Sequence, residues 1–206
     1  MRKSVFVVSL LVVFQLAGCY SGMALKKGEN DIDLSSKSIA LLSVGVINKN
    51  HAEYPLKVVG ININEWGNLY KANDAFQYNK DGYKEYLLTL ELTPGVNILH
   101  SIWISSDGFW VDASAHPSLN LRTNITPNSV VYLGHIDIVL RKKIMESEET
   151  AGSIPLIDAG IVGFSSGTFD ISVLDRFEED IKTSISAYPA LKNTLVTKAI
   201  LPQITR

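Results

Sequence analysis

One cysteine, Cys19, and four histidines are all the thiol and imidazole that 206 residues contain. A single thiol excludes an internal disulfide framework and any four-cysteine zinc site. An excess of positive charge is also missing. Lys+Arg number 19 against 21 Asp+Glu, a net charge of −2, so no nucleic-acid partner is expected. Charged residues make up only 19% and apolar ones 46%, which excludes a largely disordered chain and leaves enough for one sizeable core. The length suits one domain, or one domain with a tail. The most apolar run, residues 5–16, is broken by Ser9 and Gln15. It falls short of the ~20 residues that a helix needs to cross a bilayer.

That run sits in a recognisable setting. Arg2 and Lys3 precede it, and the small residues Ala17 and Gly18 follow. This is the anatomy of a secretory signal. Leu16-Ala17-Gly18-Cys19 resembles, residue for residue, the lipobox of bacterial lipoproteins. The resemblance implies cleavage before Cys19, acylation of its thiol and attachment to a membrane. Tyr20 stands where Asp would signal inner-membrane retention, which implies the outer membrane. One acyl chain binds marginally and two or more anchor stably, so the mature protein is expected to be held on a membrane without spanning it. Loss of residues 1–18 lowers Lys+Arg to 17 against 21 acids, a net charge of −4 that offers nothing to draw the protein onto anionic lipid. The expected organisation is a signal peptide over 1–18, a lipidated tether over 19–37 and a folded domain over 38–206. A tether of some fifteen residues, fully extended, would reach ~50 Å.

The mature chain reads as strands punctuated by turns. Residues 38–48 are apolar on both faces, like a central strand. Residues 56–64 alternate, with Val59, Ile61 and Ile63 on one face. Tyr86, Leu88, Leu90 and Leu92 alternate against Leu87, Thr89 and Glu91. Thr93-Pro94-Gly95 is a turn into a strand over 96–104. Leu119, Leu121, Thr123 and Ile125 form another apolar face, and Val130, Tyr132, Ile136, Ile138 and Leu140 a further one. The last strand, 168–174, turns Phe169, Ile171 and Val173 inward. A period of two, with no helices between the strands, predicts a mainly β fold: an antiparallel β-sandwich with one or two C-terminal helices. Asp175 caps the first helix, whose opening turn carries Glu178, Glu179 and Asp180 and whose apolar stripe is Phe177, Ile181, Ile185 and Tyr188. Pro189 ends it and starts a second through Leu191, Leu195 and Ala199. This unit is expected to cover an edge or end of the sandwich. Residues 64–84 and 141–167 read as long irregular segments.

Candidate chemistry is sparse. Gly163-Phe164-Ser165-Ser166-Gly167 fits G-x-S-x-G, but a strand follows where a nucleophile elbow needs a helix, and no histidine occurs after His135. His135 and Asp137 share one strand face and offer two metal ligands, with His100, or Asp112 and His116, as a third; a solvated strand face explains them equally well. His51 is isolated. Carboxylate pairs for glycoside hydrolysis can be drawn among Glu65, Asp74, Asp107 and Asp112, but any chain with 21 acids offers such pairs. No cofactor or metal is assigned. Trp66, Tyr70, Phe76, Tyr78, Tyr83 and Tyr86 lie among Asn and Asp residues, and Trp110 follows a turn. Trp66, Tyr70 and Trp110 are the candidate ligand or partner surface, set against the usual place of aromatics in β-protein cores. Asn124-Ile125-Thr126 reads as a chance glycosylation pattern.

Leu92-Thr93-Pro94-Gly95, the stretch from Ile125 to Ile136, and Val173-Leu174-Asp175 before an acidic helix together resemble a broad group of uncharacterised envelope lipoprotein domains, over roughly residues 85–200. The resemblance implies a sandwich in the cell envelope and no known catalytic residue. The expected function is a lipid-anchored, non-enzymatic binding or assembly module whose partner is an envelope protein, peptidoglycan or another glycan. The alternative is an envelope hydrolase or metal-dependent enzyme with its site near Trp66 and Trp110.

Overall fold

A computed structural model describes residues 20–64, 68–108, 112–152 and 156–204. The chain forms two six-stranded sheets packed face to face. The first contains β1 (Tyr20–Ser21), β3 (Lys57–Ile63), β4 (Leu69–Lys71), β7 (Gly95–Ser106), β8 (Ala113–Ala115) and β9 (Ser118–Ile125), in the order β1-β4-β3-β7, with β8 and β9 both paired to β7. The second contains β2 (Ser38–Asn48), β5 (Phe76–Lys80), β6 (Tyr83–Leu92), β10 (Val130–Lys142), β11 (Gly167–Leu174) and β12 (Val196–Lys198), in the order β11-β10-β2-β6-β5, with β12 also on β10. Helix α1 is Leu156–Val162 and α2 is Phe177–Ala187. The fold is the expected β-sandwich.

The core lies between the sheets. Leu42, Val44, Leu88, Leu90, Ile136 and Ile138 meet Ile61, Ile63, Leu99, Ile102, Ile104 and Leu121. A second apolar layer lies on the opposite face of the second sheet, where Ile39, Leu41, Leu87, Val130 and Tyr132 pack against Ala187, Tyr188 and Leu191. This explains why β2 is apolar on both faces. It is central within its sheet and sandwiched between two layers, the situation that removes polar alternation. Its neighbour β10 runs parallel to it, because the chain crosses the other sheet before returning.

The structure departs from the sequence reading at several points. Helix α2 covers the face of the second sheet, where an edge or end was expected. Pro189 opens only a short 3-10 turn, Pro189–Leu191, and the chain then enters β12, so there is no second helix over Leu191, Leu195 and Ala199. Residues 64–84 and 141–167 include β4, β5 and α1. Val58, not Val59, joins Ile61 and Ile63 in the core, because a register shift opposite Ile104 and Trp103 inserts a residue between Val58 and Gly60. Val130 and Tyr132 face α2 while Ile136, Ile138 and Leu140 face the core, because a bulge at Leu133 reverses the phase of β10. Gly134 takes φ +111 there, beside Leu174 where β11 ends. The expected tether is packed down from its first described residues. Ser21 pairs with Tyr70, Met23 and Leu25 are buried, and the Ala24 and Leu25 N–H groups donate to the Thr89 carbonyl and hydroxyl at 2.6 and 3.0 Å.

Candidate functional site

Where α2 crosses the second sheet, the strands beneath it present polar side chains. β2 contributes Ser43, β6 contributes Glu85, and β10 contributes Tyr132, His135 and Asp137. Tyr132 and His135 are three residues apart and would lie on opposite faces of a regular strand. The bulge at Leu133 brings both to the helix side. Gly45 makes room for the imidazole: a Cβ there would sit 3.2 Å from both the Glu85 Oε1 and the His135 ring. From above, α2 and its preceding residue supply Asp180 and Arg176.

The proton positions follow from the donors. Arg176 can only donate, and its Nη1 lies 3.0 Å from His135 Nε2 and 3.3 Å from Nδ1, against the ring and not in line with either nitrogen. Ser43 has one proton and gives it to Asp180, so toward His135 Nδ1, at 3.0 Å, its oxygen accepts, which assigns an imidazole proton to Nδ1. The Ser43 hydroxyl donates in turn to Asp180 Oδ2, which also accepts from the Tyr132 hydroxyl at 2.6 Å. Arg176 Nη1 reaches Glu85 Oε1 at 3.2 Å as well. His135, Ser43, Asp180 and Tyr132 are each at most 1% exposed, and Glu85 is 3% exposed. Burial, then the bond to Asp180, raise the Tyr132 phenol far above its ordinary pKa, so it remains a donor. Burial opposes the Arg176 charge, but Glu85 and Asp180 more than offset this and hold its pKa above the usual value. Tyr78, beside the network, is pushed up to about 12 by burial and by Glu85.

Ser43, His135 and Asp180 are the residue types of a hydrolytic triad, but their arrangement differs. Ser43 gives its proton to a carboxylate and receives one from the imidazole, and its oxygen is sealed beneath the helix. In a triad the imidazole takes the serine proton. The network as built fastens α2 and Arg176 to the sheet. Beside it opens a cavity of about 250 Å³, with Glu85 and His135 at its floor and Lys80, Tyr83, Asp137 and Arg176 around it. Glu85 Oε2 has no hydrogen-bond partner among the described residues and lies 3.8 Å from His135 Nδ1.

The other candidates fall elsewhere. Cys19, Trp66, Trp110 and Glu65 lie outside the described residues. Tyr70 is a core residue: it is 7% exposed, and its hydroxyl donates to the Glu91 carbonyl at 2.9 Å, so its ring offers no surface platform. Tyr86 is likewise buried in the core. Phe76 and Tyr78 pack under the α2 layer. His100 bonds the Asn64 carbonyl on the first sheet and does not join His135 and Asp137. The His116 ring lies 4.8 Å from that of Trp103, and burial lowers its pKa. Asp107 pairs with Lys57 at 2.6 Å, while Asp74 and Asp112 are exposed. His51 lies 3.5 Å from Glu53. Gly163–Gly167 turns from α1 into β11, the reverse of a strand-to-helix elbow. Among the described residues no group of three side chains is placed to hold a metal.

A larger groove, of about 930 Å³, runs between β9 and β11. Its central cation, Arg141, is already taken: Nη2 lies 2.6 Å from Glu148 and Nε 2.7 Å from Asp170. Glu148 also accepts the Ile144 and Met145 N–H groups, and these bonds, led by the one from Arg141, lower its pKa to about 2.

Sequence reasoning singled out His135 and Asp137 but missed Ser43, Glu85, Tyr132, Arg176 and Asp180. A clue lay in β2, where Ser43 and Gly45 interrupt one face of an otherwise apolar strand. A second lay in the four-residue spacing of Arg176 and Asp180, which places them on one side of a helix start.

Fold and site together define a β-sandwich with a helix clasped to one face through a buried ionic network. The chain matches no family model, no curated protein and no solved structure.

Proposed function

We propose that the protein is a lipid-anchored lipoprotein of the cell envelope, held at the outer membrane, that works by binding or assembly and not by catalysis. The observation that carries this reading is Leu16-Ala17-Gly18-Cys19 after a charged and apolar leader, with the chain's only thiol at the cleavage position. The non-enzymatic part is supported by the use of Ser43, His135, Glu85 and Asp180 to bind one another. The partner is an envelope protein or a glycan. Labelling of cells with a fatty-acid probe tests the anchor. The wild-type chain takes up label and Cys19→Ala does not; equal labelling of both would overturn the reading. Crosslinking in whole cells then captures the partner.

A further inference from the structure

The first sheet ends at β1 and, past β7, at β9; the second ends at β5 and β11. β1 and β5 have two and five residues, β9 and β11 eight each. The chain itself meets the edge of β11. The Ala151 N–H donates to the Gly167 carbonyl at 2.9 Å, and the Gln203 side-chain amide donates to the Val173 carbonyl. Among the described residues β9 pairs with β7 alone. Its register shifts near Asn120, which has φ +51, and then runs unbroken from Leu121 to Ile125 opposite Leu99 to Gly95. In a strand with one neighbour, alternate residues turn their N–H and C=O groups to the open side. β9 therefore offers a ladder to another strand.

The groove of about 930 Å³ opens along the beginning of this edge, from Ser118 to Leu121. Leu119 and Leu121 back it, and Met145, which is 59% exposed, adds an apolar side chain. Its charges are unequal. Glu148, Glu149 and Asp170 line it against one cation, Arg141, so three acids and one base leave a net charge of −2. Arg141 is already bonded to Glu148 and Asp170, while Glu149 and Asp170 stay exposed to whatever enters. Arg122, the one charged residue of β9, is not part of the lining. An open ladder beside an acidic, half-apolar groove suits an extended chain with long cationic side chains, whose stems cover apolar surface while their ends reach carboxylates.

We infer that β9 and this groove take an extended segment of a partner protein as an added strand, with lysine or arginine at every second position. The partner's backbone pairs with the open side of β9. Its cationic side chains enter the groove over Leu121 and Met145 and carry their charge to Glu149 and Asp170. The inference rests on the reading of the protein as a binding module and deepens it: of an envelope protein and a glycan it selects the protein, because a glycan has no amide ladder to pair with β9. Spanning the eight residues of β9 takes a partner strand of ~26 Å.

The test uses residues 20–206, which contain the whole described fold, and a synthetic peptide of eight alternating lysines and threonines. This peptide is expected to bind at least about tenfold more tightly than its counterpart of alternating glutamate and threonine. N-methylation at every residue keeps the charge but blocks strand pairing, and is expected to weaken binding at least about tenfold. In the complex, the outward amides of Leu121–Ile125 exchange at least about tenfold more slowly. Glu149→Gln with Asp170→Asn weakens binding about fivefold, while the same charge loss elsewhere (Asp74→Asn with Glu178→Gln) leaves it unchanged. Equal binding of the cationic and acidic peptides, binding that survives N-methylation, or equal loss from both variant pairs would overturn the inference. So would outward β9 amides already protected without peptide, because a second copy or the chain itself would then hold the edge. The mass of Cys19 in the membrane fraction separates the two readings. An acylated cysteine without peptide binding sinks only the docked strand; an unmodified cysteine with peptide binding sinks only the anchor.

Discussion

At the scale of single residues, Asp180 is the side chain on which the clasp depends. Its carboxylate is buried, and Oδ2 is held by two hydroxyl donors while Oδ1 has no hydrogen bond among the described residues and lies 3.8 Å from Arg176 Nε. Removing one donor from a buried charge exposes its desolvation cost. Tyr132→Phe keeps the ring and its edge contact with Phe177 at 5.4 Å but deletes the hydroxyl. The expected loss is about 1.5–3 kcal/mol of unfolding free energy in urea titration, because the acceptor is charged. A loss below about 0.5 kcal/mol, the range of ordinary surface substitutions, would show that Ser43 alone satisfies the carboxylate. Of this cluster, the sequence disclosed only that His135 and Asp137 share a strand face. That Tyr132 joins them depends on Leu133 standing out as a bulge, and nothing in Tyr132-Leu133-Gly134-His135 except the glycine marks where the phase of the strand reverses.

At the scale of elements, β2 and α2 were legible because local pattern and tertiary surroundings agree. β2 is apolar on both faces and is covered on both. α2 begins one residue beyond the expected cap: Arg176 holds the N-cap position without a side-chain cap bond, while Asp175 before it accepts the Phe177 N–H at 3.1 Å, and the helix ends before Pro189. The short strands β4, β5 and β12 were not legible: each has five residues or fewer, and pairing with a longer neighbour defines them more than composition does. The loop after β10 was likewise read as irregular, yet Glu148 organises it by joining Arg141 to the N–H groups of Ile144 and Met145. The pKa of Glu148 is lowered from 4.5 to about 2 by Arg141 and then by those N–H groups, so the ionised form holds the loop. This contribution is complete above the unfolded-state pKa near 4.5 and disappears as pH falls through about 2. Hydrogen exchange, corrected for intrinsic rates, should therefore show Ile144 and Met145 losing protection between these limits. In Glu148→Gln both amides are expected to exchange rapidly at neutral pH, with no transition on acidification. A transition that persists in that variant would assign the loop's acid sensitivity to another carboxylate.

At the scale of the whole molecule, the beginning of the folded chain joins the two sheets. Ser21 lies in the first sheet beside Tyr70, Met23 enters the core between the sheets, and Ala24 and Leu25 bond Thr89 of the second. Leu25 then fills the layer under α2 beside Leu87 and Tyr188. Composition hid this, because Gly22, Gly28, Ser35 and Ser36 look like a linker while the residues that anchor the segment are few and widely spaced. A linker and a structural clamp differ in their response to truncation. Leu25→Ala in a linker leaves stability within about 0.5 kcal/mol of wild type. In a 2%-exposed site it costs about 2–4 kcal/mol, the usual penalty for emptying a buried leucine position. The clamp predicts the larger loss in urea unfolding of residues 20–206, with a single transition in both proteins because the segment contacts both sheets. A lipid on Cys19 would then be joined to the domain by a bonded, buried segment, so the orientation of the sandwich on a leaflet would be set by its own fold.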